Sequence, residues 1–145
     1  MIAISNIEKK FGGRTILDGI SAVMETGKCN LIIGASGSGK TVLTKCMVGL
    51  FKPETGIISY DGVDMITMDK KDKKLLRQKI GMLFQGSALF DSMTVEENIL
   101  FPLDMFTQLT TAEKKKRATE VLERVNLRDA HKRYPSEISG GMKKE

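Results

Sequence analysis

The chain has 145 residues, 41% hydrophobic and 28% charged, which fits one water-soluble globular domain with a core of its own. No apolar run approaches the ~18 residues of a membrane-crossing helix, and "MIAISNIEKKF" lacks a secretory leader's apolar core, so the start reads as cytosolic. The net charge of +5 comes mainly from 69–79 and 113–117, read as solvated helix faces; aromatics are only 6% and none interleave these runs, so nucleic acid is not expected as a partner.

In chain order, Ile2 to Ile7 and Ile20 to Met24 alternate like strands around a Gly12-Gly13 turn. "CNLIIG" (29–34) is a continuous apolar run of the kind buried on both faces of a sheet. Val42, Leu43, Cys46, Met47, Leu50 and Phe51 then recur with helical spacing, up to a stop at "KPETG" (52–56). "GIISY", Asp61-Gly62 and "VDM" predict a tight hairpin. A short basic helix and the strand "IGMLF" (80–84), ending at Gln85, follow. Cys29 and Cys46 have no metal or disulfide spacing and read as buried thiols.

Beyond that point the pattern turns helical. Thr94 with Glu97 and Thr110 with Glu113 fit capping boxes, and Pro102 is expected to kink or end the first of these helices. Ala118, Val121, Leu122 and Val125 share one face of the second. The organisation expected is a mixed α/β front over 1–85 and a helical back over 86–145.

Chemistry concentrates in "GASGSGKT", which satisfies G-x-x-x-x-G-K-[ST] at every fixed position of Gly34, Ala35, Ser36, Gly37, Ser38, Gly39, Lys40 and Thr41. The glycines let the backbone curl so that successive N–H groups converge, and the following helix adds its positive N-terminal end. Lys40 brings a point charge for outer phosphates, and Thr41 a hydroxyl for Mg²⁺. A chance match arises in roughly one chain per several hundred on average residue usage. Here an apolar strand pattern precedes the loop and a helix pattern follows it, as the mechanism requires.

Three further places bear on the same chemistry. Phe11 is open to two readings, a core aromatic or a stacking surface for a base. Gln85, leaving a strand for a loop, has an amide suited to a metal-bound water. Ser139-Gly140-Gly141 has the form of a helix N-cap with bare backbone donors, a second anion site.

Taken in this order, the residues resemble the ATP-binding subunit of ABC transporters over essentially the whole chain. Phe11 matches the adenine-stacking aromatic, 34–41 the Walker A loop, Gln85 the Q-loop glutamine and "ISGGM" the signature motif. Within the family, "GMLFQGSALFDSMTVEEN" and "YPSEISGGMKK" look most like the ATPases of MCE-type phospholipid transporters. The fold implied is α/β, a P-loop NTPase with a RecA-like core, an antiparallel β subdomain and a helical subdomain, incomplete at the C-terminus. The resemblance also implies ATP and Mg²⁺, the metal held through Thr41 and Gln85. It implies a homodimer in which Ser139, Gly140 and Gly141 face the partner subunit's ATP, transmembrane permease subunits, and a peripheral place on the cytoplasmic face of the inner membrane.

Two departures stand out. Met142 replaces the signature's usual glutamine, and Phe11 the commoner tyrosine. The family pattern continues after the signature with a buried strand ending in Asp-Glu and a switch histidine. This chain holds no such strand, and His131, its one histidine, precedes the signature and reads as a surface residue. No catalytic residue is therefore assigned; the chain is expected to stop inside the domain and to be inactive alone, with exposed apolar faces on 29–34 and 80–84. The rival readings are a non-catalytic nucleotide-binding remnant and another P-loop enzyme. A GTPase lacks its N-K-x-D base reader here, and a kinase leaves "SEISGGM" without a role.

Overall fold

Ile4 and Ile7 are both buried although they sit three residues apart, which a regular strand of period two does not allow. The computed structural model, which describes residues 1–145, gives the reason. Strand β1 (Ile2–Phe11) carries an extra residue at Asn6, whose φ is 49°. Its register against β2 (Arg14–Met24) steps from Ile4↔Ala22 to Ile7↔Ile20, and against β3 (Thr55–Tyr60) from Ser5↔Ile57 to Glu8↔Thr55. Beside this bulge stands Gly56, at φ 96°, where a Cβ would lie 2.5 Å from the Asn6 carbonyl oxygen, so only glycine fits. The bulge puts Ile7, and with it Lys9 and Phe11, on the same face as Ile4. β2 repeats the device, with Gly19 at φ 61° between Leu17 and Ile20.

The sheet is antiparallel throughout, in the order β2-β1-β3-β4. The short β4 (Val63–Asp64) follows the expected hairpin turn, in which Asp61 and Gly62 both have positive φ. Helix α1 (Lys40–Met47) lays Leu43, Cys46 and Met47 against Ile4, Ile7, Leu17, Ile58 and Met65. Tyr60 pins the far end of α1 by donating its hydroxyl to the Met47 carbonyl at 2.6 Å.

The helix stops earlier than "KPETG". Gly49, at φ 73°, closes it: Leu50 N–H reaches the Lys45 carbonyl at 2.8 Å and Gly49 N–H the Cys46 carbonyl at 3.0 Å. This is a Schellman turn, in which the glycine relieves the last carbonyls. The basic segment forms α2 (Lys70–Gln78), capped by Asp69. Two of its cations are not simply solvated, since Lys73 donates to the Ile66 carbonyl and Arg77 to the Gly49 carbonyl, both at 2.9 Å.

Two expected strands do not form. Residues 29–34 and 80–84 lie outside every ladder, because no neighbouring strand is present to take their backbone hydrogen bonds. Leu31 and Ile33 are consequently 79% and 83% exposed, Leu83 is 65% exposed, and Cys29 is exposed, not buried. Cys46 is buried, and loss of solvation pushes its thiol up.

The chain divides into two units, Met1–Ile80 and Gly81–Glu145. In the second, α3 (Val95–Phe106) and α4 (Thr111–Arg124) both begin with complete capping boxes. α3 runs through Pro102 without ending there, and closes with Thr107 N–H on the Leu103 carbonyl at 3.1 Å. α4 ends at Asn126 (φ 58°) in a second Schellman turn, Leu127 N–H meeting the Leu122 carbonyl at 2.8 Å. Val95, Leu122, Ala130 and Ile138 form this unit's core, with Ile99, Leu127 and Met142 against it. His131 is half-buried beside Glu96, its ring nitrogen 3.8 Å from the carboxylate, and is not a free surface residue. No helix is long and apolar enough to cross a membrane.

The caps make a pH-dependent contribution. Glu97 is held below the ordinary 4.5 first by the Thr94 N–H, and Glu113 first by the Thr110 hydroxyl. A lowered folded value stabilises fully above the unfolded value and is lost as pH falls through the folded one. Thr110→Ala is expected to lower the unfolding free energy at pH 7 by about 1 kcal/mol. In urea denaturation the gap between variant and parent should narrow at pH 3.

Candidate phosphate-binding site

Every helix start leaves N–H groups without intrahelical partners, and in α2, α3 and α4 a side chain from Asp69, Thr94 or Thr110 answers them. Each of these also carries an acid in its first turn. α1 has neither: Gly39 stands at its N-cap without a side-chain bond, and the first turn is free of acid. The amides of Gly39, Lys40, Thr41 and Val42 donate to no group within the chain; the first intrahelical bond is Leu43 N–H to the Gly39 carbonyl, 2.8 Å. A helix end left bare in this way is a seat for an anion.

The loop before it is shaped by glycine. Gly37 and Gly39 have φ of 78° and 92°, and Ser38 N–H closes a turn on the Ala35 carbonyl at 3.2 Å. A Cβ on Gly39 would lie 2.9 Å from Leu17 Cδ2 and 3.0 Å from the Ile16 carbonyl oxygen, so the loop rests directly on β2. Lys40 folds back to donate to the Gly34 and Ala35 carbonyls at 2.8 and 2.7 Å, leaving one of its N–H donors for a ligand. Ala35, Ser36, Gly37 and Ser38 are exposed, as is Thr41 on the first turn of α1.

Phe11 shares a cavity of about 280 Å³ with Ile16 and residues 37–42, so the first strand and the glycine loop meet at one place. Lys40 is the one charged residue of that lining, and no carboxylate belongs to it. Phe11 is 44% exposed, and its ring meets the Phe51 ring edge-on, centroids 5.3 Å apart at 69°. Phe11 thus packs against Phe51 while part of the residue stays exposed beside the cavity.

Gln85 and Ser139-Gly140-Gly141 lie in the other unit. Gln85 is exposed in a turn closed by Ser87 N–H on the Phe84 carbonyl at 3.2 Å. Ser139 acts as an N-cap, its hydroxyl accepting from Met142 N–H at 3.2 Å and its carbonyl from Lys143 N–H at 3.0 Å. The amides of Gly140 and Gly141 make no backbone hydrogen bond. Met142, in place of the usual glutamine, turns its side chain onto the unit's apolar core. A larger cavity of about 400 Å³ in this unit has an apolar wall of residues such as Leu83, Val95, Ile99 and Leu122, a rim that includes Arg124, Lys143, Lys144 and Glu145, and no glycine in its lining.

Sequence reasoning missed Phe51 and Lys9. Lys9 holds its ammonium 5.1 Å from the centre of the Phe11 ring. The i, i+2 spacing in β1 was a signal for Lys9; nothing local pointed from Phe11 to Phe51.

Residues 17–145 match the profile of the family described as ABC transporter. The chain is 39% identical over 143 residues to the methionine import ATP-binding protein MetN of Rhizobium johnstonii, covering 99% of this chain and 39% of that protein. It is 37% identical to the probable ribonucleotide transport ATP-binding protein mkl of Mycobacterium bovis, covering 99% and 40%. It thus spans about two fifths of the length of the curated relatives it matches. The dimeric ATP-binding cassette MJ0796, solved in a post-hydrolysis state with ADP and phosphate, superposes with a TM-score of 0.87 at 28% identity, covering 99% of this chain and 65% of that one. The P-loop NTPase fold expected from the sequence is therefore the fold observed.

Two glycines separate conformation from space. Gly39→Ala meets backbone at a positive φ and is expected to cost roughly 1–3 kcal/mol in thermal or urea unfolding. Gly34→Ala meets only the Ser38 hydroxyl at 2.7 Å, which can rotate away, and should leave the melting temperature nearly unchanged.

Proposed function

The chain belongs to the ABC transporter family, and from that premise we propose that it binds the triphosphate of Mg²⁺·ATP on the loop 34–41 as part of an ATP-driven transport motor. The observation that carries this reading is the start of α1, the one α-helix with neither a side-chain cap nor an acid in its first turn. A polyphosphate would answer those donors, and Lys40 would share its ammonium between the loop carbonyls and the outer phosphates. The exposed Thr41 hydroxyl, on the first turn of α1, is of a kind that would hold the metal. When bound, Mg²⁺ neutralises charge on the phosphates. Phe11 offers the exposed part of its ring to the adenine.

In the same reading, Ser139 and the amides of Gly140 and Gly141 serve the nucleotide of a second, identical subunit. The one-turn cap at Ser139 supports this, since it leaves those two amides undirected within the chain. Permease subunits in the inner membrane, on its cytoplasmic face, complete the assembly. The domain division proposed is the ATP-binding core over 1–85 and the helical subdomain over 86–145. For cargo, the resemblance of 81–98 and 134–144 points to phospholipid, whereas the named relatives serve methionine and ribonucleotides.

A second reading for the 145 residues, carried over from their sequence, is nucleotide binding without hydrolysis: they hold no apolar strand pattern ending in Asp-Glu. Calorimetric titration is expected to detect Mg²⁺·ATP binding that Lys40→Ala weakens by about 10- to 100-fold, the value of one charge-assisted bond. A phosphate-release assay separates the readings, because the binding-only chain yields no turnover. Light scattering tests the pairing: ATP should raise the apparent mass, and Ser139→Ala should blunt the rise. Failure of ATP to bind would sink both readings.

A further inference from the structure

Phe11 is not a free-standing ring. Its ring packs at 69° to that of Phe51, and the Lys9 ammonium lies 5.1 Å from its centroid. Lys9 is itself fixed, donating to the Lys52 carbonyl at 2.8 Å and to Glu54 Oε1 at 2.9 Å, with a side chain only 13% exposed. The other oxygen of Glu54 accepts Lys10 N–H at 2.9 Å, and Glu54 N–H reaches the Glu8 carbonyl at 2.9 Å, so the 52–54 segment is stitched to β1 just before Phe11.

Phe51 leaves the C-terminal turn of α1, held by its N–H on the Lys45 carbonyl at 3.1 Å, while the Lys45 ammonium sits 5.3 Å from its ring centre. One helix therefore carries the phosphate seat at its first turn and the prop of the aromatic platform just past its last. We propose that Phe51 and Lys9 are positioning residues for the nucleotide base: they hold the Phe11 ring at a fixed place relative to the loop 34–41, so that α1 sets the distance between base and phosphates. Neither residue belongs to the cavity lining, so each acts through Phe11. The inference rests on the binding of ATP at this site.

The test compares two probes on the full chain, Mg²⁺·ATP and inorganic tripolyphosphate, the second having no base. The parent chain should bind ATP more tightly than tripolyphosphate. Phe51→Leu keeps apolar volume but loses the ring edge, and Lys9→Met keeps the stem but loses the cation. Each should weaken ATP by about 3- to 10-fold, the range of an aromatic pair, and leave tripolyphosphate within about twofold. In a Phe11→Ala background the Phe51 substitution should have no further effect on ATP, because its only route is that ring. Equal affinity of the parent for both probes, parallel weakening of both by the variants, or an undiminished Phe51 effect without Phe11 would each overturn the inference while leaving phosphate binding intact. Absence of any ATP binding by the parent would remove the functional reading as well.

Discussion

Leu43, Cys46 and Met47 on one side of α1 meet Ile4, Ile7, Leu17 and Ile58 on the sheet, and the placing of the glycine loop and the bare helix start depends on that contact. A helix of eight residues has little stability of its own, since nucleation costs more than so few bonds return. Its place and direction come from the sheet beneath it. Once seated, the helix aims four undirected amides outward at one end. Tyr60 and the Gly49 turn immobilise the other end. The glycine loop adds no rigidity itself; it rests on Ile16 and Leu17 and follows where the helix puts it.

Much of this was legible in the sequence, because the signals were local. The glycine turn before α1, the Asp61-Gly62 hairpin and both Thr-Glu capping boxes each act within a few residues, and the turn, the hairpin and the boxes all form. The failures share a cause of the opposite kind. "CNLIIG" and "IGMLF" have strand composition, yet a ladder needs a neighbour, and composition does not report whether one exists. Cys29 followed its segment into solvent for the same reason. The stop of α1 was read from the conspicuous Pro53 when the nearer Gly49 had already ended it. The Lys9–Phe11–Phe51 cluster joins three points through the tertiary fold, so no window of sequence contains it.

The second unit shows how a departure from a motif is absorbed. Met142 gives up a polar side chain, and its thioether stem packs against Val95, Leu122, Ala130 and Ile138. The backbone work of that turn is done by Ser139, whose hydroxyl and carbonyl both engage it. Exchange at 142 therefore alters what the turn shows to its surroundings without altering how it is made. The basic run in α2 carries a related lesson, since charges that read as a solvated face include two that staple α2 to neighbouring carbonyls.

The single surplus residue at Asn6 reaches further than its own turn. Along β1 inward and outward positions alternate, so the bulge works as a parity bit for everything downstream of it. Flattening of the bulge with every residue kept would exchange the occupants of the two faces beyond it: Glu8 and Lys10 would point inward, and Phe11 would look away from the helix. The constraint therefore falls on the backbone at Asn6, at φ 49°, and on Gly56 beside it, where any side chain would collide with the Asn6 carbonyl.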